Sequence, residues 1–353
     1  MSGLRVRRIG PLASIQDQGR AGQLQQGVSR GGAADFLALA EGAALLRQDA
    51  SLAALELAGI GGLFEATGPV RIALTGAPMQ TSLDGAALAW NASHQLQAGQ
   101  RLEIGAPKKG LYGYLHLGGG IASEMLLGAR AIHLMSGLGK AVAVGDLLPC
   151  GVDRGREVGL GLQAEDRFQG GVLRIVASFQ SELFANDVRA RFGATAFKRG
   201  SRANRRGVEM VSDGAGFTAA GQLKFLSEII VPGDVQMTGD GKPFVLLREA
   251  QTTGGYPRIG TVLPCDLAKV AQAQSGTDLR FCWVSLEEGL AAQAKHDKQV
   301  KALPASCRPL LRDPAMMQDL LSHQLISGAV SADANPFDST DNHSTDTNSG
   351  DIT

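Results

Sequence analysis

The sequence predicts a mainly β protein with some helices. Two observations carry that expectation. The 353 residues include 47 glycines, with aromatics at only 5%, a composition that suits many tight turns between short strands. Short apolar or alternating runs also recur along the chain and end at Gly, Gly-Pro or Asp-Gly. Hydrophobic residues make up 44% and charged residues 19%, so an ordinary core is expected. The 34 basic and 34 acidic residues balance to a formal charge of +0, which argues against nucleic acid or a membrane surface as partner. Cys150, Cys265, Cys282 and Cys307 are widely spaced, so no metal site is expected. No apolar run reaches membrane-spanning length and the N-terminus lacks a signal-peptide core, which points to the cytoplasm.

Residues 4–9 alternate apolar and basic side chains as a strand does, and Gly10-Pro11 ends it. Gln16, Asp17 and Arg20 then gather an amide, a carboxylate and a guanidinium around Gly19. That set suits a bound ligand or a salt bridge that closes a loop. Asp35 reads as the N-cap of a helix reaching Leu46. Residues 54–57 form a strand whose single acid, Glu56, is expected to be structural. Residues 70–77 form a strand ending at a Thr-Gly turn, and Asp84-Gly85 marks a type I′ hairpin. Residues 111–117 form a strand with Tyr112 and Tyr114 on one face. Residues 152–171, polar and glycine-rich, are read as a linker between modules at 1–151 and 172–290. A helix after Val284 is expected to turn Leu286, Leu290 and Ala294 to one apolar face, opening a helical extension at 291–330. Residues 331–353 are almost devoid of apolar side chains and are expected to be disordered.

Two stretches concentrate polar chemistry. The apolar run 243–247 leads as a buried strand into Gln251-Thr252-Thr253-Gly254-Gly255-Tyr256-Pro257-Arg258. Gly254-Gly255 is expected to turn there, because glycine accepts positive φ cheaply. Gln251, Thr252, Thr253 and Tyr256 would stand at the strand's lip, suited to a small polar ligand or anion, or to an ordinary decorated turn. The second stretch carries Lys198, Arg199, Arg202, Arg205 and Arg206, a basic loop suited to a carboxylate, phosphate or carboxyphosphate. Nucleotide motifs fail: Ser123 stands where GxGxxG needs its third glycine. Leu134 and Gln236 stand where a P-loop ending at Gly139-Lys140 or Gly241-Lys242 needs its first.

A series of motifs resembles one family in order: Gln16-Asp17-Gln18-Gly19-Arg20, Gly27-Val28, Gly32-Ala33-Ala34-Asp35, Leu74-Thr75-Gly76-Ala77, Gly118-Gly119-Gly120-Ile121, Leu127-Gly128-Ala129-Arg130, Asn204-Arg205-Arg206-Gly207 and residues 251–262. That family is the biotin-dependent carboxyltransferase group of the allophanate-hydrolase subunit-2 and KipA type. It includes 5-oxoprolinase C subunits and part of urea carboxylase. The match spans roughly residues 4–288. The chain departs from the pattern at Lys140, at 177–180 and at Glu209, a charge reversal.

The resemblance implies two cyclophilin-like β-barrel modules. It implies a C subunit of an ATP-dependent 5-oxoprolinase, inactive alone, working with an A subunit and a KipI-like B subunit to open 5-oxoproline to glutamate. ATP would serve the complex, since no ATP motif is visible in this chain. The alternatives are a urea carboxylase component, with biotin carried on another chain, or a non-catalytic KipA-like binding partner. The implied catalytic residues are Gln251, Thr252, Thr253 and Arg205. The implied substrate-binding residues are Gln16, Asp17, Arg20, Asn204, Gln236, Gly254, Gly255 and Tyr256.

Overall fold

The computed structural model describes residues 2–219 and 226–311. The expected tail at 331–353 and the extension beyond 311 lie outside the described residues. The described chain is mostly antiparallel strand with helices α1 (Phe36–Leu46), α2 (Asn186–Ala194), α3 (Leu267–Gln272) and α4 (Leu286–Ser306).

The first half builds two antiparallel sheets. One runs Leu147–Pro149, Gly3–Ile9, Gly62–Ala66, Arg101–Pro107, Met79–Leu83, Ala86–Ala87. The other runs Ser14–Gln16, Ala54–Ala58, Tyr112–Leu117, Val70–Gly76, Ala92–Leu96, Leu160–Gly161, Arg308–Pro309. Period-2 alternation turns Leu4, Val6, Phe64, Leu102 and Ile104 of the first and Leu55, Leu57, Ile72, Leu74 and Leu115 of the second into one shared core. Each such side chain stabilises the fold by roughly 1.5–3 kcal/mol relative to exposure. The hairpin at Asp84-Gly85 has φ of 50° and 87°, the positive pair a type I′ turn requires. Asp35 caps α1 by accepting from Ala38 N at 3.2 Å.

Under α1, His116 is 3% exposed, with Nε2 2.8 Å from Thr75 Oγ1. Thr75 donates its own proton to Ala38 O at 2.8 Å, so the ring must donate from Nε2. Burial pushes the imidazole down to about 3. A depressed histidine contributes stability above its unfolded pKa and loses it as pH falls toward the folded value. Below pH ~6.5 this group alone should remove about 1.4 kcal/mol of stability per pH unit. His116→Gln should flatten that part of the profile when urea unfolding is followed from neutral pH into mild acid. An unchanged slope would show that His116 is protonated within the fold.

The second half closes a barrel in the order Gly171–Val176, Arg258–Val262, Asp234–Met237, Pro243–Leu246, Gly207–Val211, Ala196–Asn204, Asp278–Trp283, with the last strand parallel to the first. Closure leaves this sheet without an open edge. Its interior is aromatic: Phe192 stacks on Phe281 at 4.6 Å and meets Phe217 edge-on at 5.2 Å. Tyr112, Tyr114 and Ala33 of the first half belong to the same apolar cluster, so the two halves share a core.

Three expectations need correction. Residues 152–171 are not a free tether. Leu160–Gly161 is a strand of the first half, and Arg167 is buried with Nε 2.6 Å from Asp35 Oδ2 and Nη2 2.8 Å from Glu41 Oε2. The face of α4 carrying Leu286 and Leu290 is 68% and 63% exposed. Periodicity identified the helix but not its buried side, where Gly289 lets the backbone approach Leu263 and Val176. Ser285 and Glu288 close a capping box at its start. The basic stretch is a hairpin rather than a loop, and three of its five charges, Lys198, Arg202 and Arg205, are paired. Lys198 meets Asp278 at 2.9 Å, and Arg202 meets Glu209, the carboxylate that had looked like a charge reversal.

Candidate active-site cleft

One cleft of about 320 Å3 lies where three barrel segments meet: the 204–207 hairpin, the strand Asp234–Met237 and the 251–256 turn. It collects Asn204, Gln236, Gln251 and Tyr256 from the sequence-predicted set, and adds Arg202, Arg206 and Phe244. Arg206 Nη2 donates to Gln251 Oε1 at 3.0 Å, which leaves the Gln251 amide nitrogen free to donate. Asn204 Oδ1 accepts from Arg206 N at 2.8 Å, so its NH2 likewise remains as a donor. Arg202 is held by Glu209 and lies 5.1 Å over the Phe244 ring.

Gln236 is the most constrained member. It is 4% exposed, and among the described residues nothing accepts from its Nε2. A buried unpaired amide costs free energy, so the group calls for an explanation. Gly254 makes room for it: a methyl there would stand 2.5 Å from Gln236 Nε2 and 3.1 Å from Ile230 Cδ1. The expected reason for this glycine is therefore corrected. Neither Gly254 nor Gly255 has positive φ; close approach demands glycine at 254. Among the described residues the lining is rich in donors and holds no carboxylate. It suits a carbonyl or anionic oxygen, and offers no general base.

The rest of the predicted set lies elsewhere. Thr253 pairs with Ile229 and lines a neighbouring cleft with Ser178, Glu228 and Arg258. Thr252 uses its carbonyl to accept from Ile230 N at 3.1 Å. Gln16, Asp17 and Arg20 tie down the 129–132 loop. Gln16 Nε2 donates to Ile132 O at 3.0 Å, Asp17 accepts from Arg130 N at 2.6 Å, and Arg20 donates to Ala131 O.

Arg205 sits between the halves. It donates to Glu56, to Glu249 at 2.5 Å and to Gly32 O at 2.5 Å. Glu56 also accepts from Tyr114 OH at 2.7 Å and Ala34 N at 2.8 Å. Burial opposes the Arg205 charge, but Glu56 and Glu249 reverse that and raise its pKa. Burial beside Glu56 raises the Tyr114 phenol as well. Arg205 and Arg206 form the tip of the hairpin between Ala196–Asn204 and Gly207–Val211, and their side chains part there. Arg205 turns inward to the interface and Arg206 outward to the cleft. Sequence reasoning named Arg206 only as part of the basic stretch, and missed Glu249, which stands two residues before Gln251.

Residues 26–283 match the family model of the carboxyltransferase domain, subdomains A and B. The chain belongs to that family. The 5-oxoprolinase C subunit of Escherichia coli K12 is 33% identical over 303 residues, covering 84% of this chain and 95% of the relative. The corresponding C subunit of Haemophilus influenzae is 31% identical over 304 residues, 81% of this chain and 92% of the relative. A putative urea carboxylase of Emericella nidulans is 24% identical, with 85% of this chain covered but only 26% of that protein. Among solved structures, Kluyveromyces lactis urea carboxylase shares the fold at a TM-score of 0.76 and 21% identity over 88% of this chain and 31% of that one. TTHA0988 matches at 0.73 and 26% over 80% of this chain; the match spans just over half, 56%, of that chain. Among the described residues no helix is long and apolar enough to cross a membrane.

Proposed function

We propose that this chain is the C subunit of an ATP-dependent 5-oxoprolinase, and that the cleft around Gln236 holds an oxygen of the lactam or of its activated form. The observation that carries the site is the donor-rich cleft with a buried, unpaired Gln236 amide. The identity of 33% over nearly the whole of a 5-oxoprolinase C subunit, against 24% over a quarter of a urea carboxylase, favours 5-oxoproline over urea. A lactam is stable because nitrogen donates into its carbonyl. Donors aimed at that oxygen favour charge developing on it.

The glycine turns of this chain do not fit ATP. A methyl at Gly118 would stand 2.1 Å from Asp153 Oδ2, and a carboxylate there opposes phosphate. Gly241 packs against the Gly216-Phe217 backbone, with Phe217 N donating to Gly241 O at 2.8 Å. ATP is therefore assigned to a partner, and the A- and B-type subunits are the proposed partners. Biotin has no part in this reading.

The test is exchange. This chain should restore growth on 5-oxoproline as nitrogen source to E. coli lacking its own C subunit. Failure by a folded, expressed chain, together with urea-dependent ATP hydrolysis beside a biotin carboxylase, would overturn the assignment.

A further inference from the structure

A second cleft, of about 430 Å3, opens between α1, α4 and the Arg248 turn. Its chemistry is unlike that around Gln236. The Arg248 guanidinium makes no hydrogen bond or ion pair among the described residues; its central carbon lies 3.7 Å from the centroid of the Phe36 ring. Arg30 stands 5.8 Å from the same centroid, and its Nε donates to Gln18 O at 2.9 Å. The two arginines come from different halves of the chain. They are stitched side by side because Gly31 N donates to Arg248 O at 3.1 Å.

Several well-buried arginines here are neutralised: Arg71 by Asp153, Arg167 by Asp35 and Glu41, Arg205 by Glu56 and Glu249. Arg248 is not. Burial, with Arg30 adding to it, lowers its pKa to about 10, so it remains charged at neutral pH without a counter-ion. The Asp297 carboxylate lines the same cleft but is held by Gln293 Nε2 at 2.8 Å and pairs with neither arginine. An uncompensated guanidinium in a sheltered cleft is costly, and an incoming anion offsets that cost through charge-assisted hydrogen bonds. The walls below it are apolar: Phe36, Leu37 and Ala268.

We propose that this cleft is a second subsite, which takes the carboxylate of a small organic acid on Arg248 and Arg30 and lays its carbon skeleton against Phe36, Leu37 and Ala268. Inorganic phosphate would gain nothing from those walls. The inference stands independently of the reading of the Gln236 cleft.

Calorimetric titration of the full chain tests it, with glutarate as the probe and inorganic phosphate as the charge-only control. Glutarate should bind and phosphate should bind more weakly. Arg248→Gln should weaken organic-acid binding about tenfold or more. Arg30→Gln, at an exposed side chain, should weaken it several-fold and serves if the Arg248 variant does not fold. Arg206→Gln, in the other cleft, should leave binding to this one unchanged. Absence of organic-acid binding, phosphate binding of equal strength, or affinity unchanged in both arginine variants would each overturn the proposal. Binding that is lost in Arg206→Gln and kept in Arg248→Gln would overturn it too, while leaving the proposed function standing.

Discussion

Arg205→Ala should lower the unfolding free energy by roughly 3–5 kcal/mol, the largest effect expected of any single substitution here. The reason is geometric. Arg205 is the cation that neutralises both Glu56, 1% exposed, and Glu249, 5% exposed, and it also reaches the Gly32 carbonyl. Alanine would leave two buried carboxylates facing each other across the join between the halves. Lysine cannot satisfy three acceptors in three directions with one ammonium on a flexible stem. Adding Glu56→Gln to an Arg205→Met variant should recover part of the loss, because one charge then leaves with its partner. Urea unfolding of the three variants measures this. A loss below about 1 kcal/mol in Arg205→Ala would place Arg205 among exposed, weak pairs.

Gly254→Ala should cut turnover of the assembled enzyme about 100-fold, as loss of one oxyanion-type donor does. The added methyl would stand 2.5 Å from Gln236 Nε2. The amide is the movable end of a side chain, so it swings aside and its donor leaves the cleft. Stability should change by only about 1 kcal/mol, since backbone φ at 254 is not in the glycine-only region. Turnover near normal, with assembly intact, would show that the position of the Gln236 amide does not matter to the chemistry.

Much of the fold was legible. Alternation and turn residues marked strands such as Val70–Gly76, and Asp35 marked the start of α1. Barrel closure was not legible, because the parallel pairing of Gly171–Val176 with Asp278–Trp283 joins segments about a hundred residues apart. The α4 face was misjudged because its packing rests on Gly289, a residue without an apolar side chain to announce it. At the candidate cleft, the 251–256 stretch supplies Gln251 and Tyr256. Thr253 nevertheless lines a different cleft from Gln251. The conformation of that turn, rather than the residue types, decides which side each one serves. The basic stretch misled because its partners, Glu56, Glu249 and Asp278, are remote in sequence.

The most direct test of the central claim is the rate of ATP-dependent conversion of 5-oxoproline to glutamate by this chain assembled with A- and B-type subunits, with Gln236→Leu compared against wild type. Leucine keeps the bulk of the side chain and removes the unpaired donor. The expected result is an assembled, folded complex whose turnover falls about 100-fold. An equally assembled complex with wild-type turnover would contradict the claim, and would move the reacting oxygen out of the Gln236 cleft.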